Sequence, residues 1–424
     1  MSARPTLTQL FLLFLRIGAT SFGGNVALVA AIREHVVLRR KWLEDDMLLD
    51  GTTVASVLPG PLATNVTTFI GYRLRGFAGG LVCLGAVLLP SFILLCSLSW
   101  LYFRYGQLSV VEAIFHGILP GVAAVILAAA IDLAKKNVKR WEQWLIVAAA
   151  TFLMAYVGGI WITLLVMFGA GVIGYFLFKK DSSGKINSSG AEKNFTTQET
   201  STKALLREFL PYAFTVVLLI GGLLLALNFS VGSLHEALGR VALLGGTFGG
   251  MSLTLFGGGY VFVPAIEQVV VHTHHWLSGE EFAHGIAMGQ VTPGPIMISA
   301  AFIGWKVNGF WGALVSTVAI FLPPACVTVF ASHFVERIRR NPAVDAIFKG
   351  MRPAVVGLIF AAVLYFLRTL APGWPSIFRG EFDPDWPVIL IFAGVLGLAL
   401  FVKKIDPALL IPISGLLGWL FYLA

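Results

Sequence analysis

Long apolar runs separated by short polar punctuation make up most of the chain. Gly79–Phe103, Ala113–Leu133, Trp161–Phe178, Phe209–Leu227, Phe310–Phe334 and Val388–Val402 carry almost no charge. Each is near the length of about 20 residues that a helix needs to cross a bilayer. Trp144–Val157 is a shorter run of the same kind. Period-two segments, the signature of a membrane β-barrel, are not the pattern here. The predicted fold is an all-α polytopic membrane protein. One polar stretch interrupts it at length, Lys179–Arg207, rich in Ser, Gly and Lys and without apolar periodicity. That composition reads as a flexible linker.

The pattern is written twice. Sliding the second half onto the first by 234 residues brings Phe22-Gly23-Gly24 onto Phe256-Gly257-Gly258 and Ala31-Ile32 onto Ala265-Ile266. It also brings Trp42-Leu43 onto Trp276-Leu277 and Pro59-Gly60-Pro61 onto Pro293-Gly294-Pro295. One residue then drops out. At 233, Phe69-Ile70-Gly71 meets Phe302-Ile303-Gly304, Pro90 meets Pro323, and Ile114-Phe115 meets Ile347-Phe348. About a hundred residues correspond with a single gap, which identifies an internal duplication. The expected organisation is an N-terminal repeat over 1–178, a cytoplasmic linker over 179–207, and a C-terminal repeat over 208–424. In the last, an extra helix at 209–227 inverts the orientation.

Charge supports the inversion. Arg33–Lys41 holds four Lys and Arg, whereas the matching Glu267–His275 holds none; Arg337–Arg352 holds five, whereas the loop at Arg104 holds one. Basic loops face the cytoplasm, so the repeats are expected to lie upside down relative to each other, as in many transporters. Arg33–Lys41, Arg73/Arg75, Lys135–Arg140 and the linker then lie inside, and the glycine and proline segments form hairpins that enter and leave on one side. Composition agrees with a membrane protein: 57% of the 424 residues are hydrophobic and 12% charged, about half the charge of a soluble domain. The net charge of +8 is read as loop charge setting orientation, not as a nucleic-acid surface. Cys83, Cys96 and Cys326 lie within apolar runs and form no metal or disulfide pattern.

The candidate chemistry lies where the helices must break. Paired glycines weaken a helix and let backbones approach. Pro59-Gly60-Pro61 cannot continue one. Broken backbone at membrane depth is tolerated only in a protein-lined or wet cavity, where N–H groups at half-helix N-termini bind anions. The expected substrate site comprises Arg16, Thr20, Ser21, Phe22, Gly23, Gly24, Asn25, Pro59, Gly60, Pro61 and Asn65 of the first repeat. From the second come Thr254, Phe256, Gly257, Gly258, Gly259, Tyr260, Gln290, Thr292, Pro293, Gly294 and Pro295. Thr64, Thr67, Ser252 and Ser299 lie on the same breaks. These are hydroxyls and amides with almost no carboxylates, a set that suits an oxyanion and not a metal cation. Arg16 is a cation inside an apolar run, where a functional role competes with snorkelling. His272-x-His274-His275 reads as a polar loop end. No catalytic constellation, resident metal or cofactor is expected; a membrane enzyme would need a carboxylate pair or His/Asp cluster.

On Phe22-Gly23-Gly24 with Pro59-Gly60-Pro61, and Phe256-Gly257-Gly258-Gly259 with Gln290-Val291-Thr292-Pro293-Gly294-Pro295, the chain resembles the chromate ion transporter family in its long, two-domain form. The resemblance covers nearly the whole chain except the linker. It implies two homologous, oppositely oriented domains in a bacterial cytoplasmic (inner) membrane. It also implies export of chromate from the cytoplasm, chromate resistance, and sulfate as a competing analogue. The first repeat departs from the second: Asn25 stands for the third glycine, and Ser56-Val57-Leu58 stands for Gln290-Val291-Thr292. Membrane lipid is the expected surrounding and nucleic acid is not a partner; a homodimer is left open. Sulfate or another tetrahedral anion, carried by uptake or exchange, and an anion channel are the alternative readings.

Overall fold

A computed structural model describes residues 4–21, 24–186, 233–254, 259, 262–333, 342–370, 385–402 and 407–423. The apolar run 209–227 and most of the linker lie outside them. Among the described residues all regular structure is helical. Five helices among the described residues are long and apolar enough to cross a membrane: Leu62–Tyr105, Ser109–Asn137, Trp161–Lys179, Ile296–Ala331 and Pro342–Arg368.

The first repeat runs α1 (Leu7–Thr20), α2 (Gly24–Ile32), a π-helical turn (Arg33–Arg39), α3 (Asp45–Val57), α4 (Leu62–Tyr105), α5 (Ser109–Asn137), α6 (Trp141–Tyr156) and α7 (Ile160–Ile186). The second runs α8 (Ser233–Thr254), α9 (Phe262–Glu267), a π-helical turn (Gln268–Thr273), α10 (Gly279–Val291), a 3₁₀ turn (Ile296–Ser299), α11 (Ala300–Ala331), α12 (Pro342–Leu370), α13 (Trp386–Phe401) and α14 (Pro407–Leu423). The 16-residue α6 covers the short apolar run at 144–157. α7 carries helix eight residues past Phe178, into the stretch whose composition reads as linker.

Start and stop signals account for several boundaries. Thr6 and Gln9 form a reciprocal capping box at α1, and Ser278 and Glu281 form one at α10. Each satisfies N–H groups that a helix start leaves unpaired. Asp45 and Asp46 sit in the first turn of α3, where negative charge is favoured. The hairpin tips repeat in detail. Lys41 and His275 both adopt φ 52°. The Trp42 N–H donates to the Val36 carbonyl at 3.0 Å, and the Trp276 N–H to that of Val270 at 2.8 Å. Arg40 lies over the Trp42 ring at 5.2 Å, and the His274 ring stacks on Trp276 at 4.5 Å.

The long helices are folded back on themselves. Arg75 and Gly76 leave helical geometry in α4, as do Asn308 and Gly309 in α11. Gly71 lies against Gly79, and Gly304 against Gly312. Residues eight apart in a straight helix would be about 12 Å apart, so each bend is a tight helical corner that only glycine's missing Cβ permits. α3 returns along the first half of α4, with Gly51 on the Phe69 ring; α10 does the same with Gly285 on Phe302. The two proline turns are therefore the tips of helical hairpins.

The repeats interlock. α4 and α11 cross antiparallel. Tyr72 Oη and His333 Nε2 meet at 3.2 Å at one end, and Arg73 Nη2 donates to the Ser332 carbonyl at 3.1 Å. At the other end Phe103 stacks on Phe302 at 4.9 Å and receives Lys306 at 5.0 Å over its face. Outside this pair the last helix of each repeat packs on the other repeat: α7 on α12 through Gly174 and Gly350, and α14 on α5 through Gly418 and Gly117. Small residues at such crossings let backbones approach, and dispersion there replaces the hydrophobic drive that lipid removes.

Candidate functional site

Interruptions rich in glycine or proline part the helices at equivalent places in the two repeats. α1 stops at Thr20 and α2 starts at Gly24; α8 stops at Thr254 and α9 starts at Phe262. α3 and α4 are parted by Leu58–Pro61, with Gly60 at φ 91°, and α10 and the 3₁₀ turn by Thr292–Pro295, with Gly294 at φ 108°. The helix after the first proline turn starts directly at Leu62, whereas the second starts with a 3₁₀ turn. The second repeat has one residue fewer here, and 3₁₀ winding climbs about 2.0 Å per residue against 1.5 Å for α. The missing residue is absorbed by tighter winding.

Each proline turn is seated on the other repeat. A Cβ on Gly294 would lie 2.5 Å from Ser91 Oγ, and one on Gly60 would lie 2.7 Å from Pro324 Cγ. Ser91 and Pro324 occupy equivalent positions, one residue after the aligned Pro90 and Pro323. The Ser91 hydroxyl donates to the Pro293 carbonyl, and the Gly294 N–H donates to the Ser21 carbonyl at 3.0 Å. The glycine break of the first repeat and the proline break of the second are thereby bonded together. Asn65 stays with its own turn, Nδ2 donating to the Pro59 carbonyl at 2.9 Å.

Most hydroxyls on the breaks are tied back to their own helices. Thr64 donates to Pro61 O, Thr67 to Ala63 O, Ser252 to Gly249 O, Thr254 to Met251 O, Thr292 to Gly289 O and Ser299 to Ile296 O, all between 2.7 and 3.0 Å. A hydroxyl whose proton is committed this way has only acceptor capacity left, so it is a poor donor to an anion. Among the described residues four buried side-chain atoms have no hydrogen-bond partner, and three of them are on the breaks: Ser21 Oγ, Asn65 Oδ1 and Gln290 Nε2. The fourth, Glu142 Oε2, lies at the start of α6. The three break residues are 4%, 1% and 8% exposed, and such groups are seldom left unpaired in so buried a place.

The other expected residues fall into three groups. Arg16 and Thr20 are exposed on α1, where Thr20 Oγ1 donates to the Arg16 carbonyl at 2.9 Å. Pro59, Gly60, Pro61, Gly259, Pro293 and Gly294 are buried at the breaks and Pro295 is buried beside them. Phe22, Gly23, Phe256, Gly257, Gly258 and Tyr260 lie outside the described residues, as do the side chains of Gly24 and Asn25. Ser91 and Pro324 were not legible as site residues, although the aligned Pro90 and Pro323 beside them were a usable signal. Among the described residues no cluster of three or more His, Cys, Asp and Glu could hold a metal.

Comparison with known proteins adds a family. The Chromate transporter family model matches residues 8–175 and again 242–419. A probable chromate transport protein of Synechococcus elongatus is 30% identical over 98% of this chain and 96% of its own length. A chromate transport protein of Cupriavidus metallidurans is 28% identical over 98% of this chain and 94% of its own. An uncharacterized transporter of Bacillus subtilis matches at 28% over 39% of this chain but 88% of itself, so it is about one repeat long. No solved structure matches.

Proposed function

The chain belongs to the chromate transporter family, a family of transport proteins and not enzymes, and from that premise we propose that it exports chromate from the cytoplasm. The two repeats are inverted, and the anion is held where their four breaks meet. The observation that carries this reading is the pair of buried, unpartnered groups able to donate, Ser21 Oγ and Gln290 Nε2. Breaks with unused hydrogen-bonding capacity are what a desolvated polar solute requires. The Ser21 hydroxyl and Gln290 Nε2 supply donors. The N–H group of Leu62, at the start of a half-helix whose N-cap residue Pro61 makes no side-chain cap bond, supplies another. An oxyanion accepts from all of them, and the site offers no carboxylate to repel it.

The driving force suits export. Moving one charge across 100 mV is worth about 2.3 kcal/mol, and a dianion leaving a negative interior gains about twice that. Membrane potential alone suffices, and proton antiport can add to it.

The test is chromate uptake into inverted membrane vesicles, with sulfate as competitor. Ser21→Ala and Gln290→Leu should each raise the half-saturating concentration, together by more than either alone, with insertion unchanged. Wild-type affinity in both would remove the breaks from the site. Uptake blocked by sulfate but not carrying chromate would assign the site to another tetrahedral anion.

A further inference from the structure

The two hairpins are repeats in backbone but not in charge. At the junction of α2 and its π-helical turn stands Arg33, ion-paired at 2.7 Å to Asp45 on a half-exposed surface. The equivalent junction of α9 carries Glu267, and the position equivalent to Asp45 is Gly279. A fixed surface ion pair in one repeat has become a carboxylate facing a missing side chain in the other.

That substitution lies on a cavity of about 510 Å³ between the second hairpin, the end of α6 and the last turns of α12. Glu267, Gln268, His272, Gly279 and Glu280 line it from the hairpin, and Tyr365 and Arg368 from α12. Gly158, at φ 67°, closes the α6 side; a Cβ there would lie 2.9 Å from Gln268 Oε1. The carboxylate is 13% exposed and its Oε1 lies 2.7 Å from His272 Nε2, whose ring is 56% exposed. Arg368 is held at the rim by the Ala155 carbonyl at 3.1 Å and the Tyr156 ring at 5.5 Å. α6 and α7 bring no carboxylate, lysine or histidine to the lining. The ionisable groups around Glu267 are therefore His272 on its own hairpin, Glu280 on α10, Tyr156 at the end of α6, and Tyr365 and Arg368 on α12.

We infer that Glu267 is the proton-binding site of this transporter, taking a proton from the medium on the second hairpin's side through His272 and the cavity. Burial raises its affinity for a proton above that of an ordinary carboxylate, while His272 and Arg368 act against that. A proton there neutralises the one buried carboxylate of the cavity and weakens its hold on His272. The attraction between the hairpin carboxylate and Arg368 on α12 is lost with the same proton. At the equivalent position of the first hairpin stands Arg33, which stays charged throughout. Proton uptake is thus confined to one face, as antiport against an exported anion needs. The inference rests on the export reading above and deepens it.

The experiment uses the full chain in proteoliposomes, with pH gradient and potential imposed separately. Wild-type chromate flux should accelerate several-fold under the pH gradient. In Glu267→Gln the ratio of pH-driven to potential-driven flux should fall to that of a symmetric-pH control. In His272→Gln the pH for half-maximal response should move upward, since the histidine holds the carboxyl's proton affinity down; a purely structural role would leave that pH in place. A pH response retained in Glu267→Gln, or none in the wild type, overturns the inference while leaving export intact. No flux under either gradient instead sinks the export reading. Proton binding can then be read directly, as an infrared carboxylic-acid band that appears on lowering the pH before those of ordinary carboxylates and is lost in Glu267→Gln. Its absence from the wild type overturns the inference too.

Discussion

Gly60 and Gly76 both have positive φ, 91° and 61°, but their surroundings differ. A methyl on Gly76 would meet nothing within 4 Å, whereas one on Gly60 would run into the Pro324 ring. Gly76, at φ 61° and ψ −153°, is in a region that glycine alone normally occupies, so Gly76→Ala should cost only that backbone strain, about 1–3 kcal/mol. Gly60→Ala adds a clash that can be relieved only by unseating the proline turn from the other repeat. Thermal unfolding in detergent should show a small shift for the first and a larger one for the second, with transport lost only in Gly60→Ala. Equal effects would mean the Gly60–Pro324 contact is not tight. Side-chain chemistry on the breaks was only partly legible at this scale. Residue types show which groups can donate, but not that Thr64, Thr254 and Thr292 spend their protons on their own helices.

Among elements, legibility follows the range of the cause. The breaks at 21–23, 58–61 and 292–295 were readable because glycine and proline act on the chain locally. The corners at Arg75-Gly76 and Asn308-Gly309 were half readable: Arg73 and Arg75 mark a polar interruption, but nothing local states that the helix doubles back. Neither π-helical turn has a sequence signature, yet they recur at equivalent positions, Arg33–Arg39 and Gln268–Thr273. Least readable was the exchange of end helices, because its contacts join residues far apart in the chain. It carries a prediction. A Cβ on Gly350 would lie 2.7 Å from Gly174 Cα, and one on Gly117 would lie 2.6 Å from Gly418 Cα. Gly350→Val should push α7 off α12, costing on the order of 1–3 kcal/mol as over-packing does, while Gly394→Val, with nothing within 4 Å, should cost little. Denaturation midpoints that rank the two the other way would disprove the interlock.

For the whole molecule, the charge swap between hairpins and the antiparallel crossing of α4 and α11 point the same way. Arg73 reaches Ser332 at one end of the crossing. Its counterpart Lys306 pairs with Glu281 at 2.7 Å and covers Phe103 at the other. Arg75 Nε donates to the Pro5 carbonyl at 2.5 Å, which places the N-terminus at the first of these ends. The tips at Lys41 and His275 share one backbone conformation, yet Arg39, Arg40 and Lys41 are permanently charged where Thr273, His274 and His275 stand in the second copy. Lysine and arginine resist translocation, and the second tip carries neither. Single cysteines at positions 41 and 275, in a chain whose Cys83, Cys96 and Cys326 are replaced, should therefore react with an impermeant maleimide from opposite faces. Position 275 should label in intact cells and position 41 only in inverted vesicles. Because the two tips are matched in geometry, unequal reactivity cannot be blamed on local shielding. Labelling of both from one face would mean the repeats are parallel, and the common site at their breaks could not form.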